Sequence, residues 1–180
     1  MFSVMKTILY PIFLFTLFSM FGNAYAADQI DKMISSMSLK EKIGQMLLIG
    51  FRGRSINKRH EIAKDIKDQK IGSVILFEYD AIKKRRRRNI SSPRQLKELT
   101  DDLQSFADIP LFISIDEEGG LVSRLKSRYG FKSFPSQEDV ARIKDLSFTY
   151  QNAFELSEQL KEYGINMNFS PVVDVNVIIP

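Results

Sequence analysis

The sequence contains no cysteine, no tryptophan and only one histidine among its 180 residues. Without cysteine, neither a disulfide bond nor a cysteine-ligated metal site can stabilise the fold, so stability must come from an apolar core. A hydrophobic content of 44%, including 14 phenylalanines, can supply that core. The net charge of +4 is modest and much of it lies in Lys83–Arg88, so the chain has no general nucleic-acid-binding signature. No motif for a metal ion or an organic cofactor is present either, and none is expected.

The first 26 residues follow the pattern of a secretory signal peptide. Lys6 provides a basic n-region, an apolar run follows at Ile8–Gly22, and Ala-Tyr-Ala at 24–26 forms a small-residue cleavage site. The run is shorter than the roughly 20 residues that span a bilayer, and it contains Pro11. We therefore expect cleavage near Ala27, an exported product in the periplasm or medium, and no membrane span after cleavage. An uncleaved signal anchor is the alternative.

Apolar, strand-like runs alternate with amphipathic helical patterns along the rest of the chain. Strands are predicted at Gln45–Phe51, Ile71–Phe77, Ile109–Ile115 and Ile165–Val175, separated by helices. Capping patterns at Ser38 and Ser92 mark two helix starts. The predicted fold class is α/β, with a parallel sheet covered by helices. Either an open doubly wound sheet or part of a (β/α)₈ barrel fits. Since a complete barrel needs about 250 residues, four strands amount to about half of one.

A cluster of acids and glycines follows directly after the third predicted strand. Asp116, Glu117 and Glu118 are succeeded at once by Gly119 and Gly120. In parallel α/β folds, functional groups collect just beyond the carboxyl ends of the strands. A glycine pair lets the backbone turn sharply and lets a ligand approach closely.

Two further residues are candidates for the same region. Asp174 lies near the end of the fourth predicted strand, and Arg124 is close enough in sequence to return over Asp116. A carboxylate acceptor beside a guanidinium donor suits a ligand rich in hydroxyl groups. The residues alone leave a structural alternative open, in which the acids cap the next turn and pair with Arg124.

Several motifs resemble those of glycoside hydrolase family 3. "IDEEGGLVSRL" (Ile115–Leu125) is similar to the family's I-D-x-E-G-G-x-V-x-R-L signature, and "FPS" (Phe134–Ser136) follows at about the expected distance. "ELSEQLKEYGINMNFSPVVDVN" (Glu155–Asn176) resembles a second family segment, and "EKIGQMLLIGF" and "IGSVILFEYD" resemble its first two strands. The resemblance covers Ile30–Asn176 and is greatest to the bacterial β-N-acetylhexosaminidase branch.

The resemblance implies a TIM-type barrel and a retaining mechanism with a covalent glycosyl-enzyme intermediate. By the same resemblance, Asp116 would accept hydrogen bonds from hydroxyls of the nonreducing sugar, and Arg124 would help to hold that sugar. Glu118 would orient the loop, and Asp174 would support the site. Glu117 stands where the family usually has Gln or His, so no role is assigned to it.

The resemblance also implies what these residues lack. The family's K-H-F-P-G-H-G segment, with the histidine of the acid/base, and the nucleophilic aspartate are expected beyond Pro180. Residues 27–180 are then a partial barrel domain, from a fragment or a truncated product, and inactive alone. His60 is expected to be solvated on a surface helix. The expected substrate is a glycan containing N-acetylglucosamine; β-glucosidase specificity or an inactive sugar-binding remnant are the alternatives.

The basic run Lys83–Arg88 departs from the family pattern, since related loops are less basic. It is interpreted either as a solvated, mobile loop or as a contact with an anionic envelope surface. No catalytic role is assigned to it.

Overall fold

The computed structural model describes residues 28–174, so the predicted signal peptide lies outside the described residues. The chain divides into two units, the first ending at Lys42. It contains helix α1 (28–36) and the start of α2 (Leu39–Gln45). The predicted capping box is confirmed, because Ser38 Oγ accepts from the Glu41 N–H (3.3 Å) and the Glu41 carboxylate accepts from the Ser38 N–H (2.8 Å).

The second unit, from Ile43 onward, alternates strands with helices. After α2 the elements are β1 (Leu48–Gly50), α3 (Glu61–Gln69), β2 (Ser73–Ile75), β3 (Tyr79–Asp80), β4 (Arg85–Arg86), α4 (Pro93–Ser105), β5 (Phe112–Ile115), a 3₁₀ turn (Ser127–Tyr129), α5 (Gln137–Ile143), α6 (Leu146–Glu162) and β6 (Met167–Asn168). The four predicted strands are present but shorter than predicted, because the apolar runs continue into loops that also contribute to the core. Helix α5 and the pair β3–β4 were not predicted.

The main sheet contains β1, β2, β5 and β6, with parallel neighbours in the order of the chain. A doubly wound sheet reverses its strand order at a switch point. Here the order proceeds in one direction through all four strands, as it does in a (β/α)₈ barrel. The α/β class is therefore confirmed, and the strand order favours the half-barrel interpretation over the doubly wound sheet.

The core lies between this sheet and helices α3, α4 and α6. Val74 and Ile113, paired in register on neighbouring strands, are fully buried. The helices contribute buried side chains at helical spacing: Ile62 and Ile66, then Leu96, Leu99 and Leu103, then Leu156 and Leu160. Since burying such a side chain contributes about 1.5–3 kcal/mol, these contacts supply stability that a chain without disulfides needs.

Helix α4 begins as predicted and is tied to the loop after β1. Ser92 Oγ accepts a hydrogen bond from the Gln95 N–H (3.2 Å), and Pro93 occupies the first helical position. The Gln95 side-chain oxygen accepts from the N–H of Ser91 (2.8 Å) rather than from that of Ser92. Its amide nitrogen donates to the carbonyl oxygen of Arg54 (2.7 Å). The capping glutamine therefore also fixes the position of the loop that follows β1.

His60 lies half-buried at the start of α3, and it has a structural role that the sequence analysis did not assign to it. His60 is the N-cap of α3, and its Nδ1 accepts from the N–H of Ile62 (3.2 Å). Its Nε2 lies 2.9 Å from the carbonyl oxygen of Arg52, and its ring contacts the edge of Phe51. Histidine is an uncommon N-cap residue, so the sequence pattern gave no signal for this role.

Candidate functional site

Asp116 and Arg124 meet just beyond the carboxyl end of β5. Asp116 directly follows the last strand residue, and its Oδ2 accepts a hydrogen bond from Arg124 Nη2 at 2.8 Å. The two side chains are 24% and 26% exposed, so a ligand in solution can reach both. Within residues 28–174, no hydrogen bond reaches the second carboxylate oxygen, Oδ1 of Asp116. The structure thus brings together the two residues that the sequence analysis singled out for ligand binding.

Glu117, to which the sequence analysis assigned no role, holds this pair in place. The residue is 1% exposed, and its Oε2 accepts from the backbone N–H groups of Arg124 (2.6 Å) and Leu125 (2.9 Å). A buried carboxylate is costly unless donors compensate it, and here two backbone donors converge on one oxygen. A glutamine oxygen could accept the same two bonds, so the position requires an acceptor more than it requires a charge.

The backbone of Glu117 is fixed from the neighbouring strand. Asn168 at the end of β6 accepts from the Glu117 N–H and donates to the Glu117 carbonyl oxygen, both at 2.9 Å. Asn166, two residues earlier, makes a similar pair of bonds: its side-chain oxygen accepts from the Ile113 N–H (2.8 Å), and its side-chain nitrogen donates to the Leu111 carbonyl oxygen (2.9 Å). Asparagine side chains therefore extend the pairing of β5 with β6 and stabilise the start of the site loop.

The glycine pair packs directly on the Phe-Pro-Ser segment at 134–136. Gly119 and Gly120 have φ values of +83° and +58°, in the region that favours glycine. A Cβ at Gly119 would lie 2.1 Å from the carbonyl oxygen of Pro135, and one at Gly120 would lie 2.7 Å from the Cβ of Ser136. The Gly120 N–H donates to the Phe134 carbonyl at 3.0 Å. The glycine pair and the Phe-Pro-Ser segment, which are separate in sequence, are therefore in direct contact in the fold.

Glu118 and Asp174 line a cleft beside the loop that carries the glycine pair. This cleft has a volume of about 560 Å³ and lies between the turn 118–122 and the first turn of α5. Glu118 contributes backbone bonds, its N–H donating to the Val122 carbonyl (2.9 Å) and its carbonyl accepting from Gln137 Nε2 (3.0 Å). Asp174 is exposed and lies beyond β6 rather than at its end. Their roles in orienting and supporting the site remain predictions.

A second buried acid, Glu78, connects the loop after β2 to the loop after β5. Its Oε1 accepts from the Tyr129 hydroxyl (2.6 Å) and from Arg128 Nη2 (2.8 Å). Burial raises the pKa of Glu78, but the hydrogen bonds from Tyr129 and Arg128 outweigh burial and leave the pKa below its ordinary value. The sequence analysis missed Glu78, although an acid that directly follows "VILF" obeys the same strand-end rule as Asp116.

The basic run is exposed at Lys83–Arg87, as predicted for a solvated segment, and it forms part of a hairpin. Tyr79–Asp80 and Arg85–Arg86 pair as the antiparallel strands β3 and β4. Asp80 organises this hairpin, since its carboxylate accepts from Arg52 Nε (2.6 Å) and from the N–H groups of Ile82 (3.1 Å) and Lys83 (3.0 Å). The Arg52 hydrogen bond holds the pKa of Asp80 well below its usual range. The run of cations is therefore folded into a defined shape at the same end of the sheet as Asp116.

Comparison with known proteins gives a consistent family. The family model described as "Glycosyl hydrolase family 3 N terminal domain" matches residues 38–178. Two curated relatives are named beta-hexosaminidase: one from Nitrosomonas eutropha is 34% identical over 112 residues, covering 59% of this chain and 29% of the relative. The other, from Methylobacillus flagellatus, is 32% identical over 122 residues, covering 64% of this chain and 32% of the relative.

A solved structure supports the same fold. The glycoside hydrolase family 3 β-N-acetylglucosaminidase from Paenibacillus sp. strain FPU-7 superposes with a TM-score of 0.69 at 33% sequence identity, covering 78% of this chain and 25% of that one. The chain spans about a third of the length of the curated relatives that it matches. The described strands correspond to part of a larger barrel fold, as their sequential order indicates.

Proposed function

The chain belongs to the glycosyl hydrolase family 3 N-terminal domain family, and on that premise we propose that the complete protein is a glycosidase of the β-N-acetylhexosaminidase type. It removes terminal β-linked N-acetylhexosamine from glycans with retention of configuration at the anomeric carbon. The observation that carries this proposal is the Asp116–Arg124 pair, which stands at a strand end within the matched region. The hexosaminidase names of the relatives support the choice of sugar.

In this proposal, Asp116 and Arg124 bind the nonreducing sugar through hydrogen bonds. The open Oδ1 of Asp116 accepts a hydrogen bond from a sugar hydroxyl, and the Arg124 guanidinium donates to another oxygen of the ring. Glu117 keeps the Arg124 backbone in position beneath that sugar. Glu118 and Asp174, which line the adjoining turn, support the loop rather than react. These residues bind and orient the substrate.

The two catalytic roles are assigned to no residue of these 180. A retaining enzyme needs a nucleophilic carboxylate and a separate acid/base close to the anomeric carbon. The one histidine in the sequence, His60, has Nδ1 occupied by the N–H of Ile62 and Nε2 beside the Arg52 carbonyl. Asp116 is already paired with Arg124, and Glu117 is buried against the backbone. Because the family resemblance places both catalytic residues outside these 180, the 180-residue chain alone is expected to bind sugar without cleaving it.

Calorimetric titration of the 180-residue chain with N-acetylglucosamine tests the binding roles. Asp116→Ala and Arg124→Ala should each weaken binding about tenfold or more, since a hydrogen bond to a charged group is worth about 1.5–3 kcal/mol. Asp101→Ala is the matched control, because Asp101 also pairs with a cation, Lys97, on an exposed helix face. If all three variants bind N-acetylglucosamine as tightly as the unaltered chain does, Asp116 and Arg124 are not the residues that bind the sugar.

A second experiment tests the activity and its specificity. The complete gene product should hydrolyse p-nitrophenyl N-acetyl-β-glucosaminide faster than p-nitrophenyl β-glucoside. The reverse preference would indicate a β-glucosidase, and binding without turnover would indicate an inactive sugar-binding protein. Turnover by the 180-residue chain alone, abolished by a substitution within it, would contradict our assignment of the catalytic roles to other residues.

We further propose that the protein is exported and that Lys83–Arg88 contacts an anionic component of the cell envelope. The signal-like pattern in residues 1–26 supports export. Separately, no helix within residues 28–174 is long and apolar enough to cross a bilayer. Fusing residues 1–26 to a reporter that is active only after export tests the first part. The reporter should be active with these residues and inactive when Lys6 and the apolar run are deleted.

A further inference from the structure

The β3–β4 hairpin is closed at its base and carries its cations outward. The Arg88 N–H donates to the Glu78 carbonyl and the Asn89 N–H to the Phe77 carbonyl, both at 3.0 Å. The Asn89 side chain accepts from the Phe77 N–H (3.0 Å) and donates to the Gly53 carbonyl (2.9 Å). The five residues Lys83–Arg87 are exposed on the resulting excursion. The hairpin thus has a fixed stem, which Asn89 also connects to the loop after β1.

This hairpin faces the loop after β1 across a cleft of about 680 Å³ that is lined by arginines. Six of them line it: Arg52, Arg54, Arg85, Arg86, Arg87 and Arg88. Arg88 is anchored, since its Nε donates to the Phe51 carbonyl (2.8 Å) and its guanidinium lies 4.8 Å from the centre of the Phe77 ring. Arg87 lies over the Tyr129 ring at 5.3 Å. At least these two guanidinium groups are therefore held in position before any ligand arrives.

The three acids that line the cleft, Asp80, Glu98 and Asp102, neutralise its six arginines only in part. Asp80 is paired with Arg52, and Glu98 is paired with Arg94, which does not line the cleft. Among residues 28–174, Arg54 and the hairpin residues 85–87 form no ion pair. Burial lowers the pKa of Arg88, and the nearby charge of Arg52 lowers it further, although the charge of Asp80 acts in the opposite direction. Like charges held together in this way repel one another, and a bound anion relieves that repulsion.

We propose that the arginine cleft binds an unbranched polymer of phosphate groups that carries no bases. Arginine forks match the tetrahedral phosphate in a bidentate way, and the cations that line the cleft in the described part of the chain are all arginines. None of the lining residues within 28–174 is aromatic, whereas single-stranded nucleic acids are held by stacking their bases on aromatic side chains. The concave shape favours a chain that enters it over a flat lipid surface.

The inference rests on the envelope contact proposed above for the basic run and narrows its ligand, and it is independent of hydrolase activity. A polymer bound in the cleft lies at the end of the sheet that carries Asp116 and Arg124. Glu78, at the stem of the hairpin, is bonded to Arg128 and Tyr129, which follow Arg124 in the site loop. The cleft therefore holds the sugar site close to phosphate-rich material.

The test is binding of fluorescein-labelled inorganic polyphosphate to the 180-residue chain, measured by anisotropy at several salt concentrations. The double variant Arg54→Gln/Arg86→Gln should bind about 100-fold more weakly, at about tenfold for each lost contact. The steepness of its salt dependence should fall as well, because fewer counterions are released. The control Lys58→Gln/Arg59→Gln removes the same charge from exposed residues outside the cleft and should retain most of the affinity.

Four outcomes would overturn the inference. Equal loss in the two double variants would show a net-charge effect rather than a site. Binding of a single-stranded oligonucleotide as tight as that of polyphosphate would contradict a base-free ligand. Binding to phosphatidylglycerol vesicles without binding to polyphosphate would refute the polymer but leave the proposed envelope contact standing, whereas binding to neither would refute both. Circular dichroism of each variant checks that it is folded. No loss of folding is expected, because all four substituted side chains are exposed.

Discussion

Replacing the buried Glu117 provides the sharpest test of how the site loop is held. In Glu117→Ala the N–H groups of Arg124 and Leu125 lose the oxygen that both of them contact. An unsatisfied buried donor costs about 1–3 kcal/mol. The N–H of Arg124 can recruit water because that residue is partly exposed, so its cost is smaller than that of the Leu125 N–H. The expected loss in the free energy of unfolding is therefore about 3 kcal/mol. For a chain of this length that corresponds to a fall of about 6–12 °C in melting temperature.

The conservative variant separates hydrogen-bond acceptance from charge. Glu117→Gln keeps an oxygen in the same place and loses the charge-assisted part of the two bonds, which costs about 1 kcal/mol. It should also retain sugar binding, whereas Glu117→Ala should weaken it, because Arg124 is no longer fixed beneath the ligand. Glu158→Ala is the control, since the pair that Glu158 forms with Lys161 is exposed and its loss should cost less than about 0.5 kcal/mol.

Urea unfolding followed by far-ultraviolet circular dichroism measures these differences, because the sequence has no tryptophan for a fluorescence signal. The expected order of stability is wild type, then Glu117→Gln, then Glu117→Ala. Equal losses in the two variants would mean that the negative charge, and not the acceptor, is what the loop requires. A loss in Glu117→Ala no larger than that of the control would refute the assignment of Glu117 as the residue that fixes the loop.

Three further substitutions test other parts of the fold. Ser92→Ala should cost about 1 kcal/mol in urea unfolding through loss of the α4 N-cap, and no change would contradict that capping role. Gly119→Ala should destabilise by about 3 kcal/mol or more, and clearly more than Gly130→Ala, because both have positive φ but only the Cβ at 119 would strike a backbone oxygen. The pKa of Glu78 in the folded chain lies below its ordinary value of 4.5. The Glu78 carboxylate therefore stabilises the folded state fully above pH 4.5, and this contribution is lost as the pH falls through the folded pKa. Glu78→Gln should therefore flatten the fall in urea midpoint between pH 5 and pH 3, and an unchanged slope would count against the Glu78 network.

The sequence predicts the framework of this fold because the relevant signals are local. The apolar run that contains Val74 and the caps at Ser38 and Ser92 depend on neighbouring residues, and each is found where it is predicted. The pairing of Asp116 with Arg124 also follows from a local feature, since a glycine-containing turn returns the chain over a strand end. The strand bounds are less well predicted, because apolar loop residues pack on the same core.

The features that the sequence did not predict depend on distant contacts. Glu117 is important because backbone groups seven and eight positions later turn toward it, which no residue pattern records. The hairpin within the basic run has no alternation of apolar residues, and it is organised by Asp80 binding Arg52 across 28 positions of sequence. Helix α5 is only seven residues long, so its periodicity is too short to detect.

The bonds from Asn168 to the backbone of Glu117 set an order of events during synthesis. Asn168 is 51 positions later in the chain, so the ribosome has already made the whole acidic loop before its clamp exists. Until Asn168 has left the exit tunnel, the loop that carries Asp116 and Arg124 lacks both hydrogen bonds from β6. The nascent protein therefore fixes the loop of Asp116 and Arg124 late, after helix α6, which precedes β6, has been completed.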